Sequence, residues 1–290
     1  MKVILSRKGF DSANGRCPSP ITPGGAMFSL PIPSQQGSRC FGELNYGQHN
    51  LGKVVDSLTN GKYCSKSPVH CDPDLSHTSL PRQAGWLPSL RQVGAALTHL
   101  HNQQVEVGDL FLFYGWFRDV EISEKGNYQY INSSKNRHVI FGWLQIGEIL
   151  DVGSDGAAAL KKKPWLEKHP HVVGGWEGKN KLYIASELLD LPQIVSAKSL
   201  AGGGVFGKVS SSRTLTQSGQ SNRSLWSLPK LFAPKSGLVT LTYNVNPAKW
   251  RASENLEEIL LDSAKIGQEF VLTVKDEKVM ADWLRDVFKN

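Results

Sequence analysis

The run Leu110-Phe111-Leu112-Phe113-Tyr114-Gly115-Trp116-Phe117 constrains this chain more than any other segment. It is apolar or aromatic throughout apart from one glycine, so both faces must be buried, and the turn signal Gly108-Asp109 before it marks a strand. A second strand is predicted over His138–Leu150, after a polar excursion at Asn127–Lys135. Gly142 and Gly147 interrupt it where a bulge or bend is expected. Lys2–Ser6, Met27–Ile32, Leu182–Ala185, Val239–Tyr243 and Glu269–Val274 read as further strands. Pro88–His101 reads as a helix, because Leu90, Val93, Ala96, Leu97 and Leu100 recur at three- and four-residue spacings. Shorter helices are predicted around Leu256–Leu261 and Val279–Phe288. Gly9–Gly25 and residues 34–80 are rich in Gly, Pro and Ser and are expected to be long loops.

With 290 residues and 40% hydrophobic content, the chain can bury a large core as one domain spanning 1–290. No apolar run approaches the ~18–20 residues that span a bilayer, so no membrane partner is expected. The apolar run Val3–Leu5 is far too short for a secretory signal. Four cysteines in a chain of this size do not make a disulfide scaffold, and a cytoplasmic location with reduced thiols is the expectation.

Charge narrows the partner. Leu191–Ser253, 63 residues, contains no Asp or Glu but eight basic residues: Lys198, Lys208, Arg213, Arg223, Lys230, Lys235, Lys249 and Arg251. The whole chain carries +7 and this stretch +8, so the remainder sums to −1. Positive charge concentrated in this way favours a polyanion, nucleic acid or nucleotide, whose phosphates release counterions when neutralised. Phe206, Trp226, Phe232, Tyr243 and Trp250 are interleaved with the basic residues and could stack on bases. A solvated loop region would carry the same charge for solubility alone.

Several segments could carry chemistry. His70, Asp72 and Asp74 alternate, and in an extended chain all three would share a face able to hold a divalent metal or a shared proton. Asp-Pro-Asp is also an ordinary turn sequence. Arg7, Lys8 and Asp11 follow the first strand, where the cations could grip phosphate and Asp11 act as base or ligand; a salt bridge is the plainer alternative. His169 and His171 form a second alternating pair that could bind a metal. Lys208, behind the glycine loop Ala201–Gly207, and Arg213 and Arg251 are further candidate phosphate contacts.

Three motif groups together carry a resemblance. They are Ser6–Ser12 with Cys17-Pro18-Ser19-Pro20 and Ser29–Pro33, then His70–Leu75, then Val107–Phe117. With them the chain resembles the third of the nucleotide modification associated domain families, found alongside bacterial and phage systems that modify DNA bases. That resemblance implies work on nucleotides or nucleic acid, in company with other components of a DNA-modification system. It also implies a His near Tyr243-Asn244, where this chain has Asn244. The pattern of helix, Gly-Asp, strand, excursion and strand over about 85–190 is similar to PUA, ASCH and EVE modules. The fold class expected is therefore α+β and β-rich, a PUA/EVE-like barrel sheet with peripheral helices and long loops. The leading expectation is base modification or modified-nucleotide processing through Asp11, His70, Asp72 and Asp74. Phosphate would be held by Arg7, Lys8, Lys208, Arg213 and Arg251. The alternative is a non-catalytic reader that stacks a modified base among Tyr114, Trp116 and Trp143.

Overall fold

The structure, a computed structural model, describes every residue except 36–38, 153–157, 159–160, 162, 169–178, 192–193, 195–198, 235–238, 266, 275–276 and 290. The aromatic run is the centre of the main sheet, as the strand Leu110–Ile122. Along its longest path this ten-stranded sheet runs Val239–Leu241, Glu269–Val274, Val3–Arg7, Leu110–Ile122, Arg137–Asp151, Asn180–Ala185, Ser89–Val93. Val3–Arg7 lies parallel to Leu110–Ile122, with Arg7 opposite Tyr114, and the other pairings on this path are antiparallel. The two glycines mark register shifts as expected: pairing slips between Ile140 and Gly142 and again between Ile146 and Glu148. Both bulges sharpen the twist of the longest strand and curl the sheet.

The curl brings the sheet's two sides together. Gln92, on one edge strand, donates to the buried carboxylate of Glu269, next to the opposite edge. Irregular chain spans part of the gap through Phe10 N–H to Leu30 O (2.8 Å), His70 N–H to Ile32 O (2.9 Å) and the Asp74–Ser89 backbone pair. The expected PUA/EVE-like barrel is corrected accordingly: among the described residues no ladder joins the edge strands, and no sheet closes into a barrel.

A smaller sheet of Leu225–Pro229, Glu258–Asp262 and Trp250–Ala252 packs beside the main one. The described helices of eight residues or more are Leu51–Leu58, Gly94–Asn102 and Glu277–Val287, and no helix among the described residues is long and apolar enough to cross a membrane. Two predicted helices are corrected. Ser89–Val93 is a strand paired with Asn180–Ala185, and the helix begins only at Gly94. Glu258–Asp262 is likewise a strand, because pairing on both sides outweighs the local pattern. Met27–Ile32 forms no strand, contributing only an isolated bridge at Met27. Within the expected loop 34–80, Leu51–Leu58 is helical; Asn50 caps it by accepting from Gly52 N–H, and Leu51, Val54, Val55 and Leu58 face the core.

Candidate functional site: a basic cleft over a buried histidine

The strand Leu110–Ile122 has two parallel neighbours along one side. Val3–Arg7 pairs with it as far as Tyr114, and Ser19–Ile21 pairs from Phe117 onward. Between them residues 8–18 leave the sheet as a loop. The loop is stiff. Lys8 N–H donates to Tyr114 O at 2.9 Å, Phe10 is buried, and Asp11 Oδ1 accepts from the amides of Ala13 (2.8 Å) and Asn14 (2.6 Å). This is an Asx-type turn, so Asp11 is engaged in shaping its own loop.

A cleft of about 540 Å³ opens beside this loop, walled by Arg7, Asp11, Ser12, Trp116, Arg223 and Lys265 and reaching His138. Trp116 and His138 stand directly opposite each other on neighbouring strands and so share a face. Arg223 crosses from the next segment: its guanidinium lies 4.2 Å from the centre of the Trp116 ring and donates to Ser12 Oγ at 2.9 Å. Thr216 locks this arrangement, accepting from His138 N–H (2.8 Å) and donating to Arg223 O (2.6 Å). Arg7 donates to the carbonyls of Lys265 and Gly267, both at 3.2 Å, which ties the first strand to the chain entering Glu269–Val274.

The electrostatics follow from this crowding. Arg7, Arg223 and Lys265 have no ion-pair partner among the described residues, and Asp11 is the one carboxylate lining the cleft. Burial holds the Arg223 pKa below its usual value; the Arg7 charge lowers it further, while Asp11 acts the other way. His138 is pushed down to about 3 by burial, then by Arg223 and Arg7, so the ring is neutral near pH 7. Its Nδ1 lies 3.0 Å from the indole Nε1 of Trp226. An indole N–H can only donate, so Nδ1 is the acceptor and the neutral ring carries its proton on Nε2. Among the described residues Nε2 has no hydrogen-bond partner, and His138 is one of the residues lining the cleft.

The sequence candidates divide between this cleft and other places. Arg7, Asp11 and Trp116 line it. Lys8 pairs with buried Glu269 at 2.9 Å, and neither residue lines the cleft. Asp72 and Asp74 line a separate cavity of about 40 Å³ that shares no lining residue with the cleft where Asp11 stands. Asp74 is bidentate with Arg82, both contacts 2.7 Å, and also accepts from Trp86 Nε1. Asp72 accepts from Arg91 N–H at 2.9 Å, with His70 Nε2 3.9 Å from its carboxylate. Among the described residues no group of three or more His, Cys, Asp or Glu is gathered as a metal-ligand set. His169 and His171 lie outside the described residues.

Tyr114 is 1% exposed and packs edge-on against Trp226 and His138, forming part of the protein's own aromatic core. Trp143, 8% exposed, is enclosed by Phe206 and Phe288. Neither offers a free face to a base. Arg213 is buried, stacks on Phe206 and donates to the carbonyls of Val287 and Lys289 at the end of the last helix, where a cation complements the helix dipole. Lys208 and Arg251 are exposed and do not line the cleft. Asn244, standing at the position where the resemblance implied His, is buried and accepts from Ala264 N–H at 2.8 Å.

Sequence reading missed His138, Arg223 and Lys265 as a site. Arg223 was visible only as one of eight basic residues, and His138 as the head of a strand. The bond to Trp226 that gives His138 its character joins residues 88 positions apart. Compared with known families, residues 2–273 match the family model described as nucleotide modification associated domain 3. No curated protein and no solved structure matches the chain.

Proposed function

The chain belongs to the nucleotide modification associated domain 3 family, and we propose that its part in nucleotide modification runs through the cleft of Arg7, Arg223, Lys265 and His138. In this reading the cleft holds the phosphate of a nucleotide or nucleic acid whose base is modified or processed. One observation carries it: among the described residues, three cations without ion-pair partners line a cavity whose one carboxylate is already engaged with two backbone amides. Unpaired guanidinium groups sharing a recess are costly unless an anion joins them, and phosphate oxygens match their fork geometry. Ser12 lies beside the cations, but among the described residues no carboxylate or imidazole contacts its hydroxyl, so we assign it to binding. Of the three aromatics the reader alternative would use, Tyr114 and Trp143 are enclosed in the core and Trp116 lines the cleft beneath Arg223.

The test is binding of fluorescently labelled single- and double-stranded DNA, RNA and free nucleotides to the full chain across a salt series. Lys265→Gln, an exposed change, and Arg223→Gln should each weaken binding and flatten its salt dependence by about one counterion. Parent-like binding by both variants at every salt concentration would remove the cleft from the function.

A further inference from the structure

We propose that the cleft is a phosphomonoester site built for a single nucleotide, with His138 Nε2–H as a proton-fixed donor to the phosphoryl group. This rests on reading the cleft as a nucleotide site and specifies which nucleotide chemistry it takes.

Charge makes the first part of the case. Arg7, Arg223 and Lys265 against Asp11 give the lining a formal +2 with His138 neutral. A phosphomonoester carries roughly −1.5 to −2 near pH 7, whereas an internal phosphodiester carries −1. The monoester matches the recess and the diester leaves it under-neutralised.

The histidine makes the second part. A free imidazole could donate or accept, but His138 has its Nδ1 lone pair engaged by Trp226. Only the Nε2–H remains, so the ligand atom facing it must be an acceptor. Protonating Nδ1 would break that bond inside an aromatic enclosure formed by Tyr114 and Trp226. A donor that cannot exchange roles suits an oxyanion flanked by guanidinium groups. Ser221, Asn222 and Ser224, on the same wall, add neutral hydrogen-bonding groups around the charge.

Size is the third part. A volume of about 540 Å³ is that of a small-molecule site, large enough for one nucleotide. A strand bound by its internal phosphates would need an open basic track. Among the described basic residues of the acid-free stretch only Arg223 lines the cleft: Arg213 is turned into the core, and Lys208, Lys230, Lys249 and Arg251 lie outside it.

The experiment compares ligands on the unaltered full chain by titration calorimetry. The four deoxynucleoside 5′-monophosphates, their parent nucleosides, the methyl diesters of the same monophosphates, and a short oligonucleotide lacking terminal phosphate are measured in parallel. We expect at least one monophosphate to bind, its methyl diester to bind about 10-fold more weakly and its nucleoside ~100-fold more weakly, as loss of one or two charge-assisted hydrogen bonds predicts. His138→Asn should weaken monophosphate binding about 10-fold without changing the preference between bases. A diester that binds as well as its monoester overturns the proposal. So does an oligonucleotide that binds, in a Lys265-dependent manner, where no monophosphate does; that result leaves the cleft as a nucleic-acid site. If no phosphate-bearing compound binds, the broader reading falls as well.

Discussion

The indole of Trp226 donates to Nδ1 of His138 across 3.0 Å, joining the small sheet to the floor of the cleft. The bond does two things at once. It satisfies an indole N–H on a fully buried ring, and it dictates which tautomer the imidazole adopts.

That relationship sets a pH dependence. The His138 pKa is pushed to about 3 in the folded chain, from an ordinary value of 6.5. As pH falls below about 6.5 the unfolded chain takes up this proton and the folded chain does not, so stability declines. The contribution is complete above about 6.5, falls by ~1.4 kcal/mol per pH unit below it, and levels off near 3. Urea unfolding at pH 7, 6 and 5 should show a shallower decline for His138→Gln than for the parent. His49 and His99, also lowered by burial, remain in both proteins and cancel from the comparison. Equal slopes would mean that His138 titrates normally in the fold.

Arg213 supports the C-terminus of the last helix. Its guanidinium holds the carbonyls of Val287 and Lys289, and its plane covers Phe206 at 4.7 Å. Arg213→Met should cost about 2–3 kcal/mol and speed hydrogen exchange in the last turn of that helix. Arg213→Glu should cost more, because a carboxylate then faces the negative end of the helix. Stability at parent level in the Met variant would show that the helix end does not depend on this contact.

The two aspartate segments should respond in opposite ways to the same change. Asp11→Asn keeps an oxygen that can accept from Ala13 and Asn14, so stability should move by less than about 0.5 kcal/mol. Asp74→Asn breaks a bidentate pair with Arg82 that no amide can replace. Both partners are only partly exposed, and a loss of about 1–3 kcal/mol is expected. Ligand binding in the cleft should survive Asp74→Asn, since that residue lines a different cavity. Denaturant midpoints and binding, measured on both variants, check the contrast.

What could be read along the chain was what one segment determines by itself. The aromatic run announced a strand buried on both faces, and two glycines announced the bulges in its partner. Pairing partners were not legible in the same way: Ser89–Val93 has the spacing of a helix and becomes a strand because Asn180–Ala185 lies beside it. The site was legible in halves. Arg7, Asp11 and Trp116 were named from their segments, whereas Arg223 reaches Ser12 across 211 positions and Lys265 meets Arg7 across 258. Basic composition gave the charge of the stretch but not its direction, which is why Arg213 points inward and Arg223 into the cleft.

Gly15 offers a final test, linking the loop's geometry to the cleft. It sits at φ +78°, and a Cβ there would lie 2.1 Å from the Phe10 ring. Phe10 is buried against Phe41 and Tyr63, so the ring cannot retreat without opening that cluster. Gly15→Ala should therefore combine left-handed backbone strain with overpacking, about 2–4 kcal/mol together. Gly24 separates the two effects: its φ is +85°, but nothing lies within 4 Å of where a Cβ would stand. Gly24→Ala should cost only the backbone part, ~1–2 kcal/mol, and leave the cleft untouched. Because Phe10, Asp11 and Ser12 are held by the turn that Gly15 closes, Gly15→Ala should also weaken ligand binding at the cleft, measured by calorimetry under conditions where both variants remain folded. Equal losses of stability in the two variants, with binding unaffected in both, would show that the loop wall does not need the packing of Phe10 beneath Gly15.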